Sequence, residues 1–323
     1  MGRRWPVAAI SLLLAAGCSG SKGAAEDPLA PPPPSSTASS GPSGTGAYQP
    51  STVLGRIADP AVTESSGLVA SRRNPGLLWT HNDSGDEPLV YCIDMQGRSC
   101  GTWRVTGAEA IDWEDIAAGP GPRAGEPYLY VGDIGDNLDQ RKEIVVYRVL
   151  EPAVGGGGPV PTTASPAATA PADAVRLRYP DGPRNAEALL VHPVTGDVYV
   201  VAKDAQSAGV YKAPAPLDPS RTTTMARVGT VRLGTGMAGL EQVTGGDISP
   251  DGRRVALSTY AEGYELELPQ GAGAFDDIWG QPLSPVALGP RLQGEAIAYR
   301  LDGRALLTTS EIAPSPLQQV ERR

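Results

Sequence analysis

The chain has little of what most enzyme sites are built from. It holds two histidines, three cysteines and one phenylalanine in 323 residues. No HExxH, CxxC or GxxxxGK[ST] occurs in it, and its one GxSxG, GRSCG at 97–101, follows the turn-prone MQG of a hairpin instead of joining a strand to a helix, so it forms no nucleophile elbow. The zinc-peptidase, thioredoxin-like, nucleophile-elbow and phosphate-loop chemistries are therefore not written in its motifs, and nothing singles out a nucleophile for a Ser–His–Asp arrangement. Helical periodicity is nearly absent, which argues against bundles and doubly wound α/β folds. Beyond the N-terminal segment no apolar run reaches the length needed to span a membrane.

What is present begins with MGRRWPVAAISLLLAAGC. A basic Arg3-Arg4 pair, an apolar stretch and the small residues Ala15, Ala16 and Gly17 before Cys18 have the form of an export signal over residues 1–17. The site resembles a bacterial lipobox, with Ala15 where Leu is commoner. That resemblance implies cleavage before Cys18, acylation of Cys18 and an exported lipoprotein of the cell envelope, held to a membrane by its acyl chains. Ser19 after the anchor suits outer-membrane sorting if the source is Gram-negative. Residues 18–50 are Ser, Gly, Ala and Pro, with PPPP at 31–34. Such a segment cannot bury enough surface to offset its ordering entropy, and it reads as a disordered tether. The stretch 153–173 has similar composition and reads as a disordered loop inside one domain covering 51–323.

Without residues 1–17 the chain carries 25 Lys and Arg against 36 Asp and Glu, a net charge of −11. An acidic exported protein is poorly suited to nucleic acid and well suited to cations; its expected partner, besides the membrane that holds the anchor, is a small-molecule or protein ligand. With Cys18 acylated, Cys92 and Cys100 remain, in YCIDMQGRSCGTW. The turn-prone MQG between them would set the thiols opposite each other on a hairpin, so a disulfide is expected; two buried thiols are the alternative.

Short β-rich runs separated by Gly, Pro and Asp-Gly signals recur along the chain and argue an all-β fold. They align as a repeat. Its first strand carries the anchors Leu68, Ile116, Leu189, Ile248 and Ile297, spaced 48, 73, 59 and 49 residues apart. With about 20 residues removed for the loop, the period is roughly 50, within the range for propeller repeats. The expected architecture is a β-propeller of five four-stranded blades, a sixth degenerate blade being left open. TVLGRI at 52–57 is expected to close the ring by pairing with the last blade, which otherwise runs out of strands.

The repeat explains why DWEDIA (112–117), NAEALL (185–190) and QGEAIA (293–298) place acids just before an apolar run. The first strand of a blade lines the central channel, so Glu114, Glu187 and Glu295 should converge at one channel mouth, with Ser66 and Gly246 in the other two blades. Like charges held close need a hard cation, a neighbouring Lys or Arg, or protons. Carboxylate and amide oxygens suit calcium. Further candidates at the mouth are Asp83, Asp115, Asp133, Asp136 and Asn137, with His81, Arg184, Lys203 and Glu311 as candidate substrate contacts. Taken singly, such acids also commonly cap turns by accepting backbone N–H groups.

SSGL (65–68), HNDSG (81–85), DWEDIA, GDIGDN (132–137) and YPDGPRNAEAL (179–189) resemble the phytase-like, esterase-like group of secreted bacterial β-propellers, to which the SdiA-regulated propellers are similar in outline. In β-propeller phytases an acidic channel mouth holds calcium ions that bind phosphate and activate water. Carried over, the resemblance implies Glu114, Asp115, Asp133, Glu187 and Glu295 as calcium ligands and Arg184 and Lys203 as phosphate contacts. The chain departs from that pattern at Ser66 and Gly246. Two functions follow: a lipid-anchored binding propeller with a calcium site at its mouth, or a metal-dependent phosphoester or ester hydrolase.

Overall fold

The structure, a computed structural model, describes residues 47–204, 207–233 and 241–323. The expected export signal, Cys18 and most of the expected tether lie outside these residues. Strand β1 (Thr52–Arg56) comes first. Blade 1 follows with β2 (Ser65–Ala70), β3 (Leu77–Asn82), β4 (Leu89–Asp94) and β5 (Ser99–Arg104). Blade 2 has β6 (Trp113–Pro120), β7 (Pro127–Asp133) and β8 (Ile144–Leu150); after the short β9 (Ala167–Ala168) it is completed by β10 (Asp173–Arg178). Blade 3 has β11 (Ala186–Val191), β12 (Val198–Ala202) and β13 (Ala208–Ala213), then, past the short β14 (Thr223–Thr224), β15 (Ala226–Val231). Blade 4 has β16 (Val243–Ile248), β17 (Arg254–Thr259), β18 (Gly263–Glu267) and β19 (Ser284–Val286); blade 5 has β20 (Gly294–Tyr299), β21 (Ala305–Ser310) and β22 (Pro316–Glu321).

Each blade is an antiparallel meander, and β1 supplies the fourth strand of blade 5 by pairing with β22. The first strands β2, β6, β11, β16 and β20 are neighbours in sequence, and β20 returns to β2, so the ring is closed. The chain folds as a five-bladed β-propeller closed by its N-terminal strand. Five apolar clusters hold the blades together, one at each seam. Central strands bury both faces between neighbouring sheets, which is why VYVVA of β12 is apolar throughout and wholly buried. The outer strand β10, DAVRLR, instead alternates buried and exposed side chains towards its end. The hairpins leading from first to second strand turn on Gly76, Gly196, Gly252 and Gly303 in blades 1, 3, 4 and 5, all at positive φ between 67° and 85°, a conformation glycine adopts without a Cβ clash.

Two expectations are corrected. The segment 153–173 is laid along the free edge of β5 rather than left loose. Its β9 pairs parallel with β5, Thr102 N donates to Pro161 O at 3.1 Å and Thr169 N to Arg104 O at 3.0 Å. Composition shows that this stretch has no core of its own, but its backbone N–H and C=O groups can still satisfy an open sheet edge. The second correction concerns Cys92 and Cys100, which are free thiols. Cys92 stands opposite Gly101 and a register shift puts Cys100 out of the ladder pairing, so the two thiols come close enough to interact but are not bonded.

Candidate functional site

Every first strand carries a register irregularity at its start. The shifts fall between Ser65 and Leu68, Trp113 and Asp115, Ala186 and Ala188, Val243 and Gly245, and Gly294 and Ile297. A residue left out of the ladder in this way is re-aimed. The residues at this position are Ser66, Glu114, Glu187, Thr244 and Glu295. Thr244, not Gly246, is thus the blade 4 counterpart, and Gly246 stands where the other blades have their Leu or Ile anchor. The sequence alignment missed this because Ile248 lies two residues further on, on the same face. Ser66 and Thr244 turn their hydroxyls to the next blade, onto Glu114 O at 2.6 Å and Gly294 O at 3.0 Å. The three glutamates are buried at the mouth, each under a tenth exposed.

Their charges act on one another and on those of neighbouring acids. Burial raises the Glu114 carboxyl well above the usual range, and Glu187, Asp83 and Asp112 add to it. Glu295 is raised likewise by burial, then by Glu187 and Glu311. Asp83 and Asp112 are each pushed up to about 6, chiefly by burial. Oxygens of Asp83, Asp112 and Glu114 lie within 4.8 Å of one another. Glu187, buried beside Lys203, is raised to about 7; its Oε1 accepts from Lys203 Nζ, while its Oε2 is buried without a partner. Burial works against the Lys203 ammonium, but Glu187 and Tyr260 outweigh it and hold its pKa above the ordinary value.

The other candidates are distributed around this centre. Asp115 lies below the mouth, where its oxygens accept from Ile116 N at 2.8 Å, Leu189 N at 3.0 Å and Gly246 N at 3.3 Å. It fastens blades 2, 3 and 4 together, as Asp247 fastens blade 4 to blade 5 through Tyr299 N at 2.8 Å. Asp133 pairs with Arg141 at 2.7 Å and accepts from Asp112 N at 3.2 Å. Asp136 braces its own loop between β7 and β8 by receiving Arg141 N at 2.6 Å, and Asn137 holds the loop ahead of β11 by receiving Asn185 Nδ2 at 3.1 Å. Glu311 lies close enough to raise Glu295 and accepts from Gln293 Nε2.

His81 is fully buried, its ring edge-on to Trp113 at 5.7 Å and its Nδ1 2.7 Å from Asn82 O. Burial lowers its pKa to about 4, so it is neutral near pH 7. Arg184 turns away to Asp181 at 2.8 Å and stacks over Tyr211 at 4.9 Å.

Asp112, Gly135, Tyr260 and Arg291 also build the mouth and escaped sequence reasoning, although Asp112 opens DWEDIA and Gly135 sits in GDIGDN. Gly135 has a plain structural reason. A Cβ on it would overlap Glu114 Oε1 and Asp112 Oδ2, so glycine lets these two carboxylates approach the backbone. Gly135→Ala is therefore expected to push both aside and, with every carboxylate retained, to weaken by about tenfold whatever cation binding these two carboxylates support. Calorimetric titration with calcium chloride checks this; wild-type affinity in the variant would show that Glu114 and Asp112 are not ligands.

No protein-family model matches the chain, and no curated protein matches it. Solved structures similar to it include the β-propeller domain of Myceliophteria thermophila Cps50 (Swd1), 12% identical with a TM-score of 0.43 over 84% of this chain and 99% of that one. A nidogen/laminin complex matches at 12% identity and TM-score 0.41 over 77% and 73% of the two chains. Kuenenia stuttgartiensis hydrazine synthase matches at 10% and 0.39 over 80% and 71%. The closed ring of five sheets in the chain itself is what makes it a propeller, and a propeller fixes no chemistry.

Proposed function

We propose that the protein is an exported, lipid-anchored propeller that binds a ligand or protein partner at a calcium site in its acidic mouth. The observation that carries this reading is the unmatched charge. Asp83, Asp112, Glu114, Glu187 and Glu295 meet there, and among the described residues only Lys203 forms an ion pair with any of the three glutamates. Two features fit a hard cation: an all-oxygen donor set and the orphaned, buried Glu187 Oε2. Asp83, Asp112, Glu114 and Glu187 would hold the ion, and Glu295 would balance its charge. Bound calcium supplies a positive centre for an anionic or carbonyl-bearing ligand.

The fold also suits a tethered binder. Tyr48 bridges to Arg322, and Thr52 pairs with Gln319, at the ends of their strands remote from Gly294 and Ser310. The chain thus enters the ring on the face opposite the mouth, which leaves the mouth open while the N-terminus is held. Metal-dependent ester hydrolysis is the competing function, and turnover separates the two. The purified protein is expected to gain thermal stability from calcium and to show no turnover on a panel of phosphate and carboxylic esters. Glu187→Gln should reduce the calcium effect several-fold. Calcium-dependent turnover abolished by Glu187→Gln would replace the binding reading with the hydrolytic one, and a wild-type protein indifferent to calcium would end both.

A further inference from the structure

We infer that Lys203 is a tethered cation already seated in the mouth, which an incoming divalent ion must displace. This rests on the cation-binding reading above and gives the site its selectivity. Three observations converge on it. The Lys203 ammonium contacts Glu187 Oε1, one oxygen of the carboxylate whose other oxygen has no partner. It is also the shared counter-charge of the mouth, lowering Glu114, Glu187, Glu295, Asp83 and Glu311 alike. Finally, among the described cations of the mouth it is the one held by side chains alone, those of Glu187 and Tyr260. Arg141 is fixed between Asp133 and Gly135 O, both at 2.7 Å, and Arg291 is fixed to Ser258 Oγ at 3.0 Å and Thr259 O at 3.2 Å.

Lys203 follows the end of β12, and its backbone is pinned by Asn185 O at 3.0 Å and Gln242 Nε2 at 3.2 Å. The ammonium rides on a flexible four-carbon stem, 5.1 Å from the centre of the Tyr260 ring, with 14% of the side chain exposed. It can therefore swing to solvent without moving the sheet. A divalent ion taking both oxygens of Glu187 needs Oε1 released, and its charge repels an ammonium left in the same cage. A monovalent ion brings no more charge than the tethered ammonium it would replace. The lysine thus favours multivalent over monovalent cations and keeps the glutamates from facing one another uncompensated when no ion is bound.

The test compares the full-length wild type with Lys203→Met by calorimetric titration with calcium chloride and with sodium chloride. Alongside it, acetylation of Lys203 in the wild type is followed by peptide mass spectrometry with and without calcium. The expected result is calcium affinity about tenfold tighter in Lys203→Met, sodium binding gained only in the variant, and Lys203 acetylation several-fold faster when calcium is present. The acetylation readout holds even if the variant fails to fold. Calcium affinity unchanged or weaker in the variant, or acetylation of Lys203 unaltered by calcium, would overturn the inference and leave the site itself standing. Calcium binding by neither protein would remove the cation site and this role with it.

Discussion

Glu265→Ala is expected to lower the thermal unfolding midpoint by about 10 °C. Glu265, on β18 of blade 4, is 5% exposed and gathers the two ends of the chain. It accepts from the Tyr48 hydroxyl at 2.5 Å, the Tyr299 hydroxyl at 2.8 Å and Arg322 Nη1 at 2.7 Å, with Arg254 Nη1 at 3.7 Å. Tyr48 precedes the closing strand, Tyr299 ends β20 and Arg322 follows β22, so one carboxylate ties blade 4 to every part of the closure. Alanine would leave the two hydroxyls without this acceptor and two guanidinium groups without this counter-charge. Breaking a buried pair in this way costs roughly 3–5 kcal/mol, and a domain of this size loses about 2–4 °C per kcal/mol. Glu265→Gln, which keeps the shape and one acceptor oxygen, should fall less. A midpoint within about 2 °C of wild type for the alanine variant, by calorimetry, would show that the cluster does not hold the ring shut.

Calcium is expected to raise the midpoint by about 10 °C near neutral pH and by little near pH 5. The sign follows from the mouth carboxyls. Asp83 and Asp112 at about 6 and Glu187 at about 7 bind protons more tightly folded than unfolded. Their contribution to stability is complete below the ordinary carboxylate range near pH 4 and is lost as pH rises through 6 to 7. Above that window the cation-free mouth carries unmatched negative charge, which a divalent ion neutralises. Below it, protons already do so and compete with the ion. An excess of about a thousandfold over Kd is worth about 4 kcal/mol. Melting curves in calcium and in chelator across this range measure the difference. A calcium effect that stayed constant or grew towards pH 5 would mean that these carboxyls do not take the ion.

The architecture was legible in the sequence because a propeller repeats its local instructions. The same order of polar lead-in, apolar anchor, Gly turn and second strand returns five times, and a strand needs only its own residues and its neighbour's to declare itself. The closing role of TVLGRI was legible by subtraction, since the last blade lacked one strand. The mouth was legible only in outline. Glu114, Glu187 and Glu295 could be aligned from their distance to the anchors, but Thr244 could not, because blade 4 reaches its Ile two residues late and only the ladder register reveals the offset. Asp112, which faces the mouth, and Asp115, bound to backbone N–H groups beneath it, lie three residues apart in DWEDIA, and no pattern in six letters separates them.

The sequence by itself determined that this is an all-β repeat with acids leading into the first strand of three units. Strand propensity, turn residues and apolar spacing are local properties, and they suffice for that. What the tertiary structure decided was which carboxylates meet, which are bound by backbone N–H groups, and which one pairs with the Lys203 ammonium. Those outcomes depend on bulges that re-aim single side chains and on seams that bring residues from distant blades within a few ångströms, where burial and charge, not residue type, set what each group can do.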